Sequence, residues 1–436
     1  MPDVDFLKGE LEKYGQAHLL AFYDELSPEE QRGLVGQIEN IDFAKVLKLY
    51  REASEGDRDF RDVKASRGNE IPCGGDPADE PVLEPMECTV KKEIGPDRAA
   101  LYNKIGERIL ENGLFAAVTM AGGQGTRLGH DGPKGTYDIG LPSHASLFEI
   151  QCERLLRASR RFGAAIPWYI MTSRENDGDT RAFFREHGFF GYDAGQIHFF
   201  VQNMLPMVDF EGRIVLDSKG HVKEGADGHG GIFAALESSG CFDDMKRRGI
   251  KWVFVGGIDN VLLKICDPFF IGFAESSNAP AAAKSLLKRS ADEGVGVFCR
   301  RNGRPYVIEY TEISKEMAGM RDDKGEFVYG EAHILCNIFS LEGIQRIIDE
   351  GGGLPYHAAR KKTKYVAENG ETVMPEKPNA YKFEAFIFDA FEKLEDLAIL
   401  RVDRETEFAP VKNREGEDSP ESARRMYEAC KGASEY

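Results

Sequence analysis

Residues 118–135 read Val-Thr-Met-Ala-Gly-Gly-Gln-Gly-Thr-Arg-Leu-Gly-His-Asp-Gly-Pro-Lys-Gly. Gly122, Gly123, Gly125, Gly129 and Gly132 let backbone N–H groups approach a ligand with no Cβ in the way. Arg127 and Lys134 are the only cations in the stretch. Amide donors beside two positive charges make a cradle for a polyphosphate. The other reading of the same residues is a glycine-rich surface turn. Two familiar phosphate loops fit poorly. A dinucleotide fingerprint counted from Gly123 and Gly125 puts Leu128 where its third glycine belongs. A Walker A loop closes on Gly-Lys-Ser/Thr, whereas Lys134 follows Pro133 and precedes Gly135.

Other segments place reactive side chains where strands stop. Asp259 follows the apolar run Trp252–Val255 and two glycines, so it falls at a strand's carboxyl end. A carboxylate there either holds Mg²⁺, a hard cation that takes oxygen ligands, or caps the next turn through Asn260. Gln202 ends the run Phe199–Val201, and its amide could read a base edge. Gly225–Gly231 is a second glycine-rich turn, whose backbone at Gly228 could approach the same ring; both segments also read as ordinary turns. Phe386 and Phe388, two apart, form either one wall of a sugar pocket or plain core. Lys412, a lone cation in the Pro-bent run Phe408–Asn413, could be a second phosphate clamp. The basic cluster Tyr356–Lys364 reads as surface, or as lying near the phosphates.

The surrounding pattern must position these groups. Residues 5–52 read as helices, with Ser27-Pro28-Glu29-Glu30 as a capping box and Leu34, Ile38 and Ile41 as an apolar stripe. Residues 55–95 lose periodicity and predict a long surface segment. A helix over 97–112 leads into a strand over Leu114–Met120, which empties into the glycine loop. Strands and helices then alternate: helix 147–162, strand 168–173, helix 180–187, strand 197–201, helix 231–239, strand 252–255. That order predicts an α/β fold with a mainly parallel, doubly wound sheet and ligands at the carboxyl ends of its strands. Segments in 295–340 read as antiparallel, and Phe383–Leu394 as a helix. The expected partition is 1–95, 96–345 and 346–436.

Bulk properties narrow the class. A chain of 436 residues allows two or three domains and a large core. The net charge of −18 argues against nucleic acid as a partner, because phosphate backbones need a basic face. It makes the few cations in glycine-rich context informative. No apolar run is long enough for a membrane span, and the acidic start is unlike a signal peptide, so a cytoplasmic protein is expected. Eight scattered cysteines without a Cys-x-x-Cys pair suggest reduced, mostly buried thiols.

From Tyr14–Leu20 to Phe408–Asn413, about nine-tenths of its length, the chain resembles the UDP-N-acetylglucosamine pyrophosphorylases, within the wider UTP:sugar-1-phosphate uridylyltransferase family. The matching segments are Asp24–Gln31, the glycine loop with its Pro-Lys, Tyr137–Ser143, Gln202–Pro206, Asp259-Asn260 and Lys412-Asn413. The resemblance implies a GT-A-like Rossmann core flanked by a smaller N-terminal helical part and a C-terminal α+β part. It implies a nucleotidyltransferase that makes a UDP-sugar and pyrophosphate from UTP and a sugar-1-phosphate. N-acetylglucosamine-1-phosphate is the first reading; a UDP-glucose or broad-specificity enzyme is the alternative. Catalytic roles fall on Arg127, Lys134 and Lys412, and Mg²⁺ on Asp259. Gly122, Gly123, Gly125, Thr126, Gln202 and Gly228 would hold the nucleotide. His229, Glu309, Asn337, Phe386 and Phe388 would meet the sugar. The acetylglucosamine enzymes carry Asn where this chain has His229, whereas Gly-His-Gly recurs in the UDP-glucose and broad UDP-sugar branches. A monomer is the expected state.

Overall fold

The computed structural model describes residues 4–66, 81–350 and 353–430, with backbone alone over 56–66. The chain divides into two compact units, each assembled from three stretches. The first takes Met1–Glu80, Asn203–Gly230 and Leu354–Phe386; the second takes Pro81–Gln202, Gly231–Gly353 and Ile387–Tyr436. The partition at residues 95 and 345 follows chain order; these units do not.

In the first unit, helices α1 (Val4–Lys13), α2 (Pro28–Glu39) and α3 (Phe43–Ser66) accompany a small antiparallel sheet. The capping box forms as its residues dictate: the Glu30 amide donates to Ser27 Oγ, and Glu30 Oε2 accepts from the Ser27 amide at 2.8 Å. Leu34 and Ile38 are buried, and Ile41 is half-buried. The helix α3 runs on to Ser66, so residues 55–66 are helical where a non-periodic surface segment is expected; 43–66 contains no Pro to stop a helix and a single Gly. Residues 67–80, including Cys73, lie outside the described part. The small sheet orders Tyr356–Lys361, Ala380–Ala385 and Val208–Asp209. Here the helix expected from Phe383 is corrected. Tyr381, Phe383 and Ala385 are buried while Lys382 and Glu384 are half-buried, a period-2 alternation that makes a strand. A 3₁₀ turn starts only at Ile387. Phe383 joins Leu11, Leu34, Ile38 and Val208 in this unit's core.

The second unit is built on an eleven-stranded sheet. Its strands are β1 (Leu83–Pro85), β2 (Thr89–Val90), β3 (Phe115–Met120), β4 (Trp168–Thr172), β5 (Ile197–Val201), β6 (Trp252–Gly257), β7 (Ala281–Leu287), β8 (Val297–Arg301), β9 (Arg304–Ile308), β10 (Glu331–Ser340) and β11 (Ala398–Arg401). The main order is β2-β11-β7-β10-β6-β3-β4-β5. All its neighbours are parallel except those of β10, which runs antiparallel to β7 and β6. The segments β8 and β9 form the expected antiparallel hairpin. Every residue of β3, β4 and β6 is buried, as strands covered on both faces must be. Helices α4 (Pro96–Glu111) and α5 (Leu147–Phe162) follow the predicted spans. Gln151 on α5 accepts from Thr119 Oγ1 at 2.8 Å and donates to the Gly257 carbonyl at 3.0 Å, joining the ends of β3 and β6. Among the described residues, seven cysteines are free, six of them buried, and no helix is long and apolar enough to cross a membrane.

A buried charge cluster ties the C-terminal segment to this sheet. Lys284 on β7 has no exposed surface and donates to Asp267 at 2.8 Å and Glu407 at 2.9 Å. Lys264 also reaches Glu407, at 3.0 Å. Burial opposes the Lys284 charge, but its two carboxylate neighbours outweigh it and raise the pKa above the ordinary lysine value. Breaking a buried pair costs about 3–5 kcal/mol when the charge left behind is unpaired. Here Lys264 (3.0 Å from Glu407) and Lys91 (3.5 Å from Glu407, 3.7 Å from Asp267) remain, so about 3 kcal/mol is the expected scale. Lys284→Met is expected to lose stability of that order in urea unfolding. An unchanged midpoint would show that the cluster does not hold the segment.

Candidate active site

The glycine loop begins where β3 stops. It is folded back on itself by the Gly125 amide to the Gly132 carbonyl (2.9 Å) and the Lys134 amide to the Gly123 carbonyl (3.0 Å). Buried Asn176 fixes its root, donating from Nδ2 to the carbonyls of Ala121 (2.9 Å) and Gly123 (3.3 Å). The amides of Gly122, Gly123 and Gln124 have no acceptor among the described residues. Thr126 and Arg127 are exposed on a short 3₁₀ turn, and Arg127 has no carboxylate partner among the described residues. The structure thus presents donors and a cation along one rim. Gln202, 7% exposed, follows β5 and is held by its amide to the Thr172 carbonyl at 2.9 Å. Its side chain lies so close to Gly122 that a Cβ there would sit 2.8 Å from Nε2. A side chain at 122 would displace the Gln202 amide, and the two predicted nucleotide contacts are neighbours.

Lys134 and Asp259 come together because β3 and β6 are adjacent and parallel, with Met120 opposite Gly257. Lys134 Nζ lies 3.7 Å from Asp259 Oδ2, both side chains mostly buried. The Asp259 carbonyl accepts from the Val411 amide at 3.0 Å, which brings the next residue, Lys412, to the same end of the sheet. The Lys412 side chain is 46% exposed, with Nζ 4.0 Å from Asp418 Oδ2. Among the described residues no group of three or more His, Cys, Asp or Glu could hold a metal. Asp259 is a single carboxylate beside a lysine.

Three predicted sugar contacts lie together in the second unit, around a residue that was not predicted. The His333 amide donates to the Gly296 carbonyl at 2.9 Å, and a Cβ on Gly296 would sit 3.1 Å from Glu309 Oε1. His333 Nε2 is 3.0 Å from Asn337 Oδ1, and its ring meets Phe388 edge-on at 5.9 Å. Asn337 is fully buried, and its Nδ2 has no hydrogen-bond partner. Nothing in the spacing singles out His333, because four residues along a strand span about 13 Å when it is regular. Phe388 is buried, so it also serves as core.

Gly228, His229 and Phe386 belong to the first unit. Gly228 has φ +85°, and a Cβ would lie 2.3 Å from the Ala385 carbonyl oxygen. That close approach accounts for the glycine without any ligand. His229 faces Phe386 at 5.4 Å between ring centroids, and His357, also unpredicted, meets the same ring at 4.9 Å. The basic cluster is surface: Arg360, Lys361, Lys362 and Lys364 are exposed.

The signature of the UTP–glucose-1-phosphate uridylyltransferase family matches residues 88–417. The chain belongs to that family. This uridylyltransferase is 37% identical over 433 residues to human UDP-N-acetylhexosamine pyrophosphorylase-like protein 1, covering 96% of this chain and 83% of the relative. UDP-N-acetylglucosamine pyrophosphorylase of Saccharomyces cerevisiae is 37% identical over 423 residues, covering 95% of this chain and 87% of its own. The solved uridine diphosphate N-acetylglucosamine pyrophosphorylase of Trypanosoma brucei, in complex with an inhibitor, superposes with a TM-score of 0.81 at 30% identity. That match covers 99% of this chain and 88% of the other.

Next to Gly228, Asp227 is 1% exposed and its Oδ1 has no hydrogen-bond partner. Burial pushes its carboxyl up to about 7, against the pull of Lys45 and Lys382. A carboxyl raised in the fold contributes stability that is complete below its ordinary value of about 4 and is lost as pH rises through the folded value. Asp227→Asn removes that dependence. Its Tm is expected to gain on the wild type steadily from pH 4 to pH 8; parallel profiles would assign the titration to another group.

Proposed function

We propose that this uridylyltransferase joins UTP to N-acetylglucosamine-1-phosphate, releasing pyrophosphate. The observation that carries the reading is the Lys134–Asp259 pair at the foot of a glycine loop with free amides. A non-bridging oxygen of the sugar phosphate attacks the α-phosphorus of UTP. The bond from that phosphorus to the bridging oxygen breaks, and pyrophosphate leaves with the electron pair. The sugar phosphate is already anionic, so the protein supplies positioning and charge rather than a covalent nucleophile.

In this reading the amides of Gly122 and Gly123, with those near Gly125 and Thr126, hold phosphate oxygens. Arg127 and Lys134 neutralise the triphosphate. Lys134 has three N–H donors and one carboxylate neighbour, which leaves donors for phosphate oxygens. Lys412 meets the phosphates from the strap paired with Asp259. Gln202 offers the edge of uracil both a donor and an acceptor. Glu309 and Asn337 bond the sugar hydroxyls, and the lone Nδ2 of Asn337 is a donor that a bound sugar would satisfy. Asp259 suits Mg²⁺, which commonly binds through one or two carboxylates plus substrate phosphates and keeps several waters. When bound, that ion supplies further positive charge to the phosphates. We place the reaction in the cytoplasm, in keeping with the free thiols, and take a single chain as the acting unit.

A second reading, a UDP-glucose or broad UDP-sugar enzyme, rests on His229 alone. A panel of sugar-1-phosphates with UTP, scored by pyrophosphate release, separates the two. N-acetylglucosamine-1-phosphate is expected to give the highest kcat/KM; activity confined to glucose- or galactose-1-phosphate would overturn the first reading. His229→Asn is expected to move the ratio further toward the acetylated sugar, by about tenfold for a contact of this kind. A cation aimed at developing charge is worth roughly 3–4 kcal/mol. Lys134→Ala is thus expected to lose at least on the order of a hundredfold in kcat with an unchanged circular dichroism spectrum. Turnover near the wild type would remove Lys134 from the chemistry.

A further inference from the structure

We infer that Asn260 is a positioning residue, which holds the strap carrying Lys412 against the loop carrying Asp259. The inference rests on the reading of Lys412 as a phosphate clamp. Asn260 is 4% exposed and bonds through both ends of its amide. Nδ2 donates to the Glu407 carbonyl at 2.8 Å. Oδ1 accepts from the Ala409 amide at 2.9 Å and from the Leu262 amide at 3.1 Å. A turn cap would need only the last of these. The other two run to the strap.

The backbone repeats the connection. The Val411 amide donates to the Asp259 carbonyl (3.0 Å) and the Val261 amide to the Ala409 carbonyl (3.1 Å), a two-residue antiparallel pairing centred on Asn260 and Pro410. Beyond it the chain closes on itself: the amides of Lys412 (2.7 Å) and Asn413 (3.0 Å) both donate to the Asp418 carbonyl. Lys412 therefore projects from the first residue past the clamp. Its place relative to Asp259 is set by this pairing, because its own side chain is half exposed. Glu407 is anchored separately by Lys284 and Lys264, so loss of the Asn260 amide loosens the strap without releasing its root. Asparagine fits the role uniquely among near isosteres. Aspartate keeps the oxygen that accepts from both amides but turns the donor to Glu407 into an oxygen facing an oxygen.

A double-mutant cycle with Lys412 tests this. Asn260→Ala is expected to lower kcat by roughly 10–100-fold, the usual scale for a displaced catalytic group, with KM for UTP moved far less. In the Lys412→Ala background the same change is expected to cost less than about threefold, since the group it positions is gone. Asn260→Asp is expected to fall between Asn260→Ala and the wild type. Amide exchange should quicken at Ala409 and Val411 and stay unchanged in β3 and β6. Losses that are as large in the Lys412→Ala background, or unchanged exchange at Ala409 and Val411, would overturn the role of Asn260. Wild-type turnover by Lys412→Ala would instead sink the phosphate clamp, and Asn260's part in the reaction with it. Should Asn260→Ala not fold, Asn260→Asp runs the same cycle.

Discussion

Two parallel strands that end level with each other set the geometry of the second unit. Met120 lies opposite Gly257, so the loop after β3 and the turn after β6 leave the sheet side by side. Only this brings a lysine fourteen residues past one strand within 3.7 Å of an aspartate two residues past the other. The level ending is itself enforced by buried polar bonds. Trp168 Nε1 donates to Thr119 Oγ1, Thr119 to Gln151, and Gln151 to the Gly257 carbonyl, each between 2.8 and 3.0 Å. A slip of one residue between β3 and β6 would break this chain and leave buried donors unpaired, at about 1–3 kcal/mol each. Register at the sheet's centre and charge at its edge are one constraint.

A second constraint acts from the C-terminal side. Lys284 could not be buried alone, and Asp267 and Glu407 could not be buried without cations, which Lys284, Lys264 and Lys91 supply. The cluster draws on β7, the cap of the helix Pro268–Ser277 and the short helix Arg404–Glu407, elements distant in sequence. It fixes the chain at Glu407, four residues before the amide that pairs with Asp259. Arg154 braces the same turn from α5, donating to the carbonyls of Val261 and Leu263. Burial lowers its guanidinium to about 10, in surroundings that give it carbonyls rather than a carboxylate. The Asp259 turn is thus held on one side by the helix that follows the glycine loop and on the other by the segment Phe408–Asn413.

Local patterns made much of this legible before any coordinates. Short apolar runs marked β3, β4 and β6, because strands buried on both faces need no alternation. The capping box marked the start of α2 through two reciprocal bonds that four residues can make alone. The loop glycines and the cations Arg127 and Lys134 were visible as chemistry, and Asp259 was visible as a strand end. What escaped depended on partners elsewhere. Residues 380–385 became a strand because Tyr356–Lys361 and Val208–Asp209 pair with them, overriding a stretch of good helix formers. The first unit draws on three separated stretches, and no boundary signal in the sequence marks such an assembly. Gln202 and Gly122 read as separate turn features, yet the fold places them side by side.

His333 and Asn337 show most sharply why a strand pattern can hide a site. Along β10, Asn337 pairs with Ala283 and His333 with Ser285, so three residues of β10 stand against the single residue Lys284. Leu335, in the middle of the bulge, has φ +55°, a conformation that costs a bulky residue on the order of 1–3 kcal/mol. The bulge falls where β10 parts from β6 at Gly256 and takes up β8 at Val297. It folds the strand enough to bring two side chains four apart into hydrogen-bond contact. It also seats the Leu335 side chain against Gly257, two residues before Asp259, where a Cβ would lie 2.9 Å from it. A regular β10 would relieve the backbone and disperse Glu309's neighbours along the sheet. The strain is retained where the His333–Asn337 cluster and the Asp259 turn both pack on one irregular strand, so the packing that supports both also sustains the bulge.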